Sequence, residues 1–170
     1  MRNLITYEEI SLLARPCSTD REMAEAMIAE AQRVEIKPRL GDTLYLPLME
    51  EAPDKKYETL LEGGKWTDKC GDTRLLTGVK TALAYYALAR IVRDGNIQPS
   101  TYGAVVKDDQ YSADAERSER QRQYRELFSQ ADSYMAEVIY YLNQNCATFP
   151  EYKVHSRMRS NRTTIKIIGK

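Results

Sequence analysis

The sequence predicts an all-α protein: a small antiparallel helical bundle with a long C-terminal helix and an extended, β-prone C-terminal arm. Three observations lead there. Two capping signatures, Thr6-Tyr7-Glu8-Glu9 and Thr19-Asp20-Arg21-Glu22, each precede a helix-like stretch. The run TALAYYALARIV is apolar almost throughout residues 81–92. Apolar residues also recur at spacings of 4, 3, 4, 3 and 4 through Tyr124, Phe128, Ala131, Met135, Val138 and Leu142. A chain of 170 residues with 42% hydrophobic and 29% charged content suits one folded domain, here residues 1–150, followed by an arm over 151–170.

The first helix begins at Thr6 and stops before Pro16, because a residue preceding proline avoids the α region. The second begins with the capping box at Thr19 and offers Met23, Met27, Ala31 and Val34 as one face. Pro38 and Gly41 end it. Residues 42–53, DTLYLPLMEEAP, read as an irregular or very short helical connector. A short helix follows, with Asp54 as N-cap and Gly63 just past its end. GKWTDKCGD then reads as a loop around the only tryptophan, Trp66, before a third strong helix over roughly 73–94. Its all-round apolar middle makes it either central or sandwiched between its own bundle and a neighbouring subunit. TYGAVVK, within 95–111, favours extended structure. The last helix runs from about Ser112 to Asn145. Residues 113–123 are polar on every face, so its first turns project beyond the bundle or meet another subunit.

Residue chemistry argues against an enzyme. The single histidine, His155, has no neighbouring carboxylate or cysteine to build a triad or a metal site. Gly63-Gly64-Lys65-Trp66-Thr67 lacks the spacing of a phosphate loop. The carboxylate pairs Glu8-Glu9, Glu50-Glu51 and Asp108-Asp109 are sequence neighbours, which on a helix face different ways. The expectation is therefore no catalytic residue, no cofactor and no metal. The three cysteines are widely spaced and suit reduced thiols. No stretch has the length of a signal peptide or a membrane span. Tyr85-Tyr86 and Tyr140-Tyr141 suit either ordinary core or a subunit interface, since adjacent tyrosines on a helix cannot both enter one core.

Charge is balanced over the chain but unevenly placed. Residues 153–170 hold six basic residues and no acid, and the chain carries 25 basic and 25 acidic residues, so residues 1–152 are net −6. The arm has three readings: a solubilising tail, a nucleic-acid arm, or a docking segment for a protein. Arg157, Arg159 and Arg162 could neutralise phosphates. No aromatic residue accompanies them, so base stacking is not offered. Ile165 and Ile167 alternate around Lys166, with Ile168 beside them, which suits strand addition to a partner's sheet edge and favours docking.

The order of these segments resembles a known family. The short first helix, STDREMAEAMIAEAQRVEIKPRLGDTLY, KYETLLEGG, LLTGVKTALAYYALARIVRDGN, TYGAVVK and the charged last helix together look like the head–tail connector (neck or adaptor) proteins of tailed bacteriophages. The closest versions are those of crAss-like phages and related prophages, and the likeness covers about residues 4–146. It implies a structural virion protein, made in the host cytoplasm, that forms a ring of typically twelve copies beneath the portal protein. The ring extends the DNA channel without sequence-specific binding, meets the next neck or tail component, and involves no membrane. On this view Tyr85, Leu88, Val92, Arg117 and Arg120 belong to the subunit interface. Arg157, Arg159, Arg162, Ile165, Lys166, Ile167 and Ile168 belong to the docking arm, which lies outside the matched stretch. The rival is a helical nucleic-acid-binding protein that uses the same arm.

Overall fold

The computed structural model describes residues 2–50, 54–94, 97–100, 103–106 and 117–152. The chain is mostly helical. Its order is α1 (Tyr7–Leu13), α2 (Arg21–Ala31), a π turn (Gln32–Ile36), α3 (Lys37–Leu40), α4 (Asp42–Leu48), α5 (Lys55–Glu62), β1 (Gly64–Thr67), β2 (Thr73–Leu76), α6 (Val79–Asp94), β3 (Ile97–Ser100), β4 (Gly103–Val106) and α7 (Arg117–Gln144). Each strand pair is a separate antiparallel two-stranded sheet, β1 with β2 and β3 with β4. The expectation of an all-α chain is corrected to that extent. The extended reading of TYGAVVK agrees with the second hairpin.

The capping box at Thr6 forms as read. Its hydroxyl accepts from the Glu9 amide, and the Glu9 carboxylate accepts from the Thr6 amide at 2.7 Å. The second signature is displaced by one residue. Asp20 is the N-cap and accepts from the Met23 amide, while the Thr19 hydroxyl turns to the Met23 sulfur.

The expected inner face of α2 also shifts. Of the four residues expected there, Ala31 is fully buried, but Met23 and Met27 are only half-buried and Val34 is 52% exposed. The buried stripe is instead Ala24, Ile28, Gln32, Ile36 and Leu40, each four residues from the last. In a regular α-helix residues four apart are offset by about 40°, so four such steps would swing Leu40 by about 160°, toward solvent. The wider π turn takes back about 100° of that rotation and keeps the stripe on the core. Pro38, whose ring supplies no amide hydrogen, sits in the first turn of α3, where the bonding pattern changes. Buried Gln32 uses the position fully: its side-chain carbonyl accepts from the Leu4 amide, and its NH2 donates to the Arg2 carbonyl and the Tyr45 hydroxyl.

The segment read as a loop around Trp66 is the β1–β2 hairpin, and the helix expected from 73 starts only at Val79. Backbone crossing explains both corrections. A Cβ on Gly78 (φ 92) would stand 2.6 Å from the Gly63 nitrogen, and one on Gly63 (φ 85) 2.3 Å from the Leu76 carbonyl oxygen. Two glycines therefore let the strand exit pass tightly against the end of α5 before α6 can begin. Trp66 and Leu76 face inward, and Trp66 meets Tyr141 edge-on at 5.0 Å.

α6 lies at the centre. It packs against α1, α2, the π turn, α5 and α7. The seam expected on α7 holds from Ala131 to Leu142, with Tyr124 and Phe128 half-buried at its start and Leu127 and Tyr141 added to it. After α7 the chain stays on the body through Phe149, Glu151 and Tyr152. Phe149 is fully buried against Tyr57 and Tyr141, and Glu151 binds Lys56 at 2.6 Å. Among the described residues no helix is long and apolar enough to cross a membrane.

Candidate functional site

Two surfaces stand out, one concave and one convex. The concave one is a groove of about 500 Å³ between the α1–α2 loop, the second half of α6 and the first half of α7. Leu88, Ile91 and Val92 from α6, with Met23 and Leu127, give it an apolar floor, and Arg15, Asp20, Gln123 and Glu126 stand at its rim. Pro16 and Cys17, just past the end of α1, form the wall contributed by the loop.

The expected interface residues fall unevenly around this groove. Leu88 and Val92, one turn apart on α6, both line it; Leu88 is otherwise buried in the chain's own core and Val92 is half-buried. Tyr85 points elsewhere and meets Tyr134 edge-on at 5.1 Å. Arg120 is half-buried. Arg117 opens α7, but its side chain lies outside the described residues, as do all the named arm residues from Arg157 to Ile168 and His155. Each tyrosine doublet splits as adjacency on a helix requires. Tyr86 and Tyr141 enter the core, while Tyr85 is half-buried and Tyr140 is 39% exposed.

Apart from the groove, a charged network fixes α6 against its neighbours. The Arg90 side chain is almost fully buried; its guanidinium binds Glu30 and, at 2.9 Å, Glu35. Arg39 joins Glu35 at 3.1 Å to Asp132 at 2.7 Å, and the Tyr86 hydroxyl donates to the same Asp132. Burial, reinforced by that hydrogen bond, pushes the Tyr86 phenol far above its ordinary range, so it remains a donor. The π turn carries Glu35, so α2, α6 and α7 meet through one set of charges. Sequence reading missed this network, whose members are far apart in the chain.

The convex surface is the β1–β2 hairpin. Its outer face carries Lys65, Thr67, Thr73 and Leu75, all exposed, with Leu75 71% exposed. Its turn is built on Asp68, whose carboxylate accepts from the Cys70 and Asp72 amides and pairs with Arg74 at 2.6 Å. That arginine, helped by the two amides, holds the carboxyl below its usual range. Arg74 also lies over the Tyr140 ring at 5.1 Å, which ties the hairpin to α7.

The described residues contain no group of three or more histidine, cysteine, aspartate or glutamate side chains placed to hold a metal ion. Compared with known proteins, the chain matches over residues 36–162 the family model described as "Family of unknown function (DUF6712)". No curated protein and no solved structure matches the chain.

Proposed function

Because the chain belongs to DUF6712, a family of unknown function, its role must be argued from its own surfaces, and we propose that it is a structural virion protein of the bacteriophage neck. In this reading copies assemble side by side into a ring, typically of twelve. The ring docks on the portal protein above and the next neck or tail component below, and DNA passes through it without sequence-specific binding. The protein's work is assembly, it involves no membrane, and its place is the virion after synthesis in the host cytoplasm.

The observation that supports this best is the groove of about 500 Å³, whose apolar floor includes Leu88 and Val92 and whose rim is polar. An apolar centre inside a polar rim is the anatomy of a protein–protein contact. The segment order that resembles connector proteins supplies the class of assembly. The basic arm 153–170 supplies a second contact, to the portal, through its arginines and the Ile165/Ile167 alternation.

The test compares full-length protein with a 1–152 truncation. The described fold closes at Tyr152, so the truncated chain is expected to keep its helical circular dichroism. Co-sedimentation with portal should be lost on truncation. Portal binding that survives truncation removes the arm as the dock. The arm's net charge of +6 favours one rival, a nucleic-acid arm. DNA affinity that falls steeply with salt in the full chain, and disappears with the arm, would replace the docking reading with that rival.

A further inference from the structure

The groove and the hairpin differ in shape and in sign of charge. The groove is concave and apolar, and at its rim Asp20 and Glu126 stand against Arg15 alone. The hairpin stands out from the body: where a side chain on Gly71 would project there is no atom within 4 Å, and residues 69–75 are all exposed. Asp68 and Arg74 neutralise each other, which leaves Lys65 and Lys69 against Asp72. The hairpin is thus net positive, the groove rim net negative, and Leu75 is an exposed leucine on an otherwise polar face.

We propose that the β1–β2 hairpin of one copy seats in the groove of the next, with Leu75 entering toward Leu88, Val92 and Leu127 and the hairpin lysines meeting Asp20 and Glu126. The two surfaces lie along different stretches of α7: the groove along Gln123–Leu127, and the hairpin along Ser133–Tyr140, where Trp66, Arg74 and Leu75 border a second, open hollow of about 470 Å³. Each copy therefore offers one donor and one acceptor, and the contact repeats head to tail instead of closing on a two-fold axis. The opposite charges orient the encounter, and the leucine supplies a desolvated centre. This contact names the lateral surface of the ring and so rests on the ring reading.

Two free cysteines report on it. Cys17 lines the groove and Cys70 sits in the hairpin turn, so the seated arrangement brings thiols of neighbouring copies together. The experiment treats the full chain, across a range of concentrations up to millimolar, with diamide, which accepts two electrons and two protons for each disulfide formed. Products are separated without reductant and their cross-linked peptides mapped by mass. The expected result is a ladder extending beyond dimer, joined through Cys17–Cys70 peptides. Cys17→Ser, Cys70→Ser and Leu75→Asp should each reduce it at least tenfold, with circular dichroism unchanged for Leu75→Asp. A product that stops at dimer, joins only other cysteines, persists undiminished in Leu75→Asp, or does not form at any concentration overturns the proposal. The outcome separates this contact from the ring itself. Rings seen by electron microscopy whose copies cross-link elsewhere keep the ring and remove the contact; a Cys17–Cys70 ladder with no ring on the portal keeps the contact and removes the ring.

Discussion

α6 and α7 run alongside each other and bury themselves in opposite ways. Ten of the sixteen residues of α6 are buried, and five other elements touch it. α7, with twenty-eight residues, buries six, all on one seam between Leu127 and Leu142. Alanines at 82, 84, 87 and 89 explain part of this, since small side chains let several neighbours approach one helix at once. The comparison separates two meanings of an unusual helix. All-round apolarity on α6 is accounted for mainly within the chain, and only Leu88, Ile91 and Val92 reach the groove floor. An apolar stripe that begins only near Tyr124 leaves the described first turns of α7 without apolar residues to bury.

The strongest way to break this contrast is Leu83→Ala on α6, where Leu83 is fully buried. It should cost about 3 kcal/mol in urea denaturation, while Gln121→Ala, on the exposed start of α7, should stay within about 0.5 kcal/mol. Equal costs would mean that α7 is as enclosed as α6. A smaller effect is expected from Arg90→Ala, about 2 kcal/mol, because Glu35 keeps Arg39 and Glu30 remains half in water. A negligible loss would show that α6 is held by packing alone. The smallest effect concerns the hairpin over the second half of α7. The folded-state pKa of Asp68 is depressed below its usual 3.8, so its stabilisation is fully present above that value and fades as pH falls through the depressed value. Acid titration should change Trp66 fluorescence in that range while leaving helical circular dichroism in place, and Asp68→Asn should remove the step. Simultaneous loss of both signals would make hairpin and helix one cooperative unit.

Much of the helical framework was legible because its signals are local: the Thr6 box, the glycine endings at Gly41 and Gly63, and the 4-3-4 seam. The first hairpin was not. Its strands are only four residues long, and TRLLTGVKTAL continues an apolar pattern into α6, so only the crossing of Gly63 and Gly78 reveals the break. On α2 the bulky methionines drew attention from Ala24 and Ile28, and a π turn has no local composition mark. Of the groove, Leu88 and Val92 could be read from apolarity. The wall at Pro16 and Cys17 could not, because it is set by long-range packing of the α1–α2 loop.

The π turn at Gln32–Ile36 has a consequence for how the gene can change length. Removing one codon at the exposed Arg33 or Val34 would let the segment close as an ordinary α-helix, in which Ile36 lies about 20° and Leu40 about 60° from Ala24, so the face beyond the turn keeps its direction. Ile36 and Leu40 would stay on the core side, and Glu35 beside them would still face Arg90. A one-residue deletion among the exposed residues 69–72 of the hairpin turn would also stay local, although it would disturb the amide contacts that Asp68 makes to Cys70 and Asp72. Homologous chains are therefore expected to differ by a single residue between Ala31 and Lys37, as at the hairpin turn, while keeping the Ile36 and Leu40 face on the core.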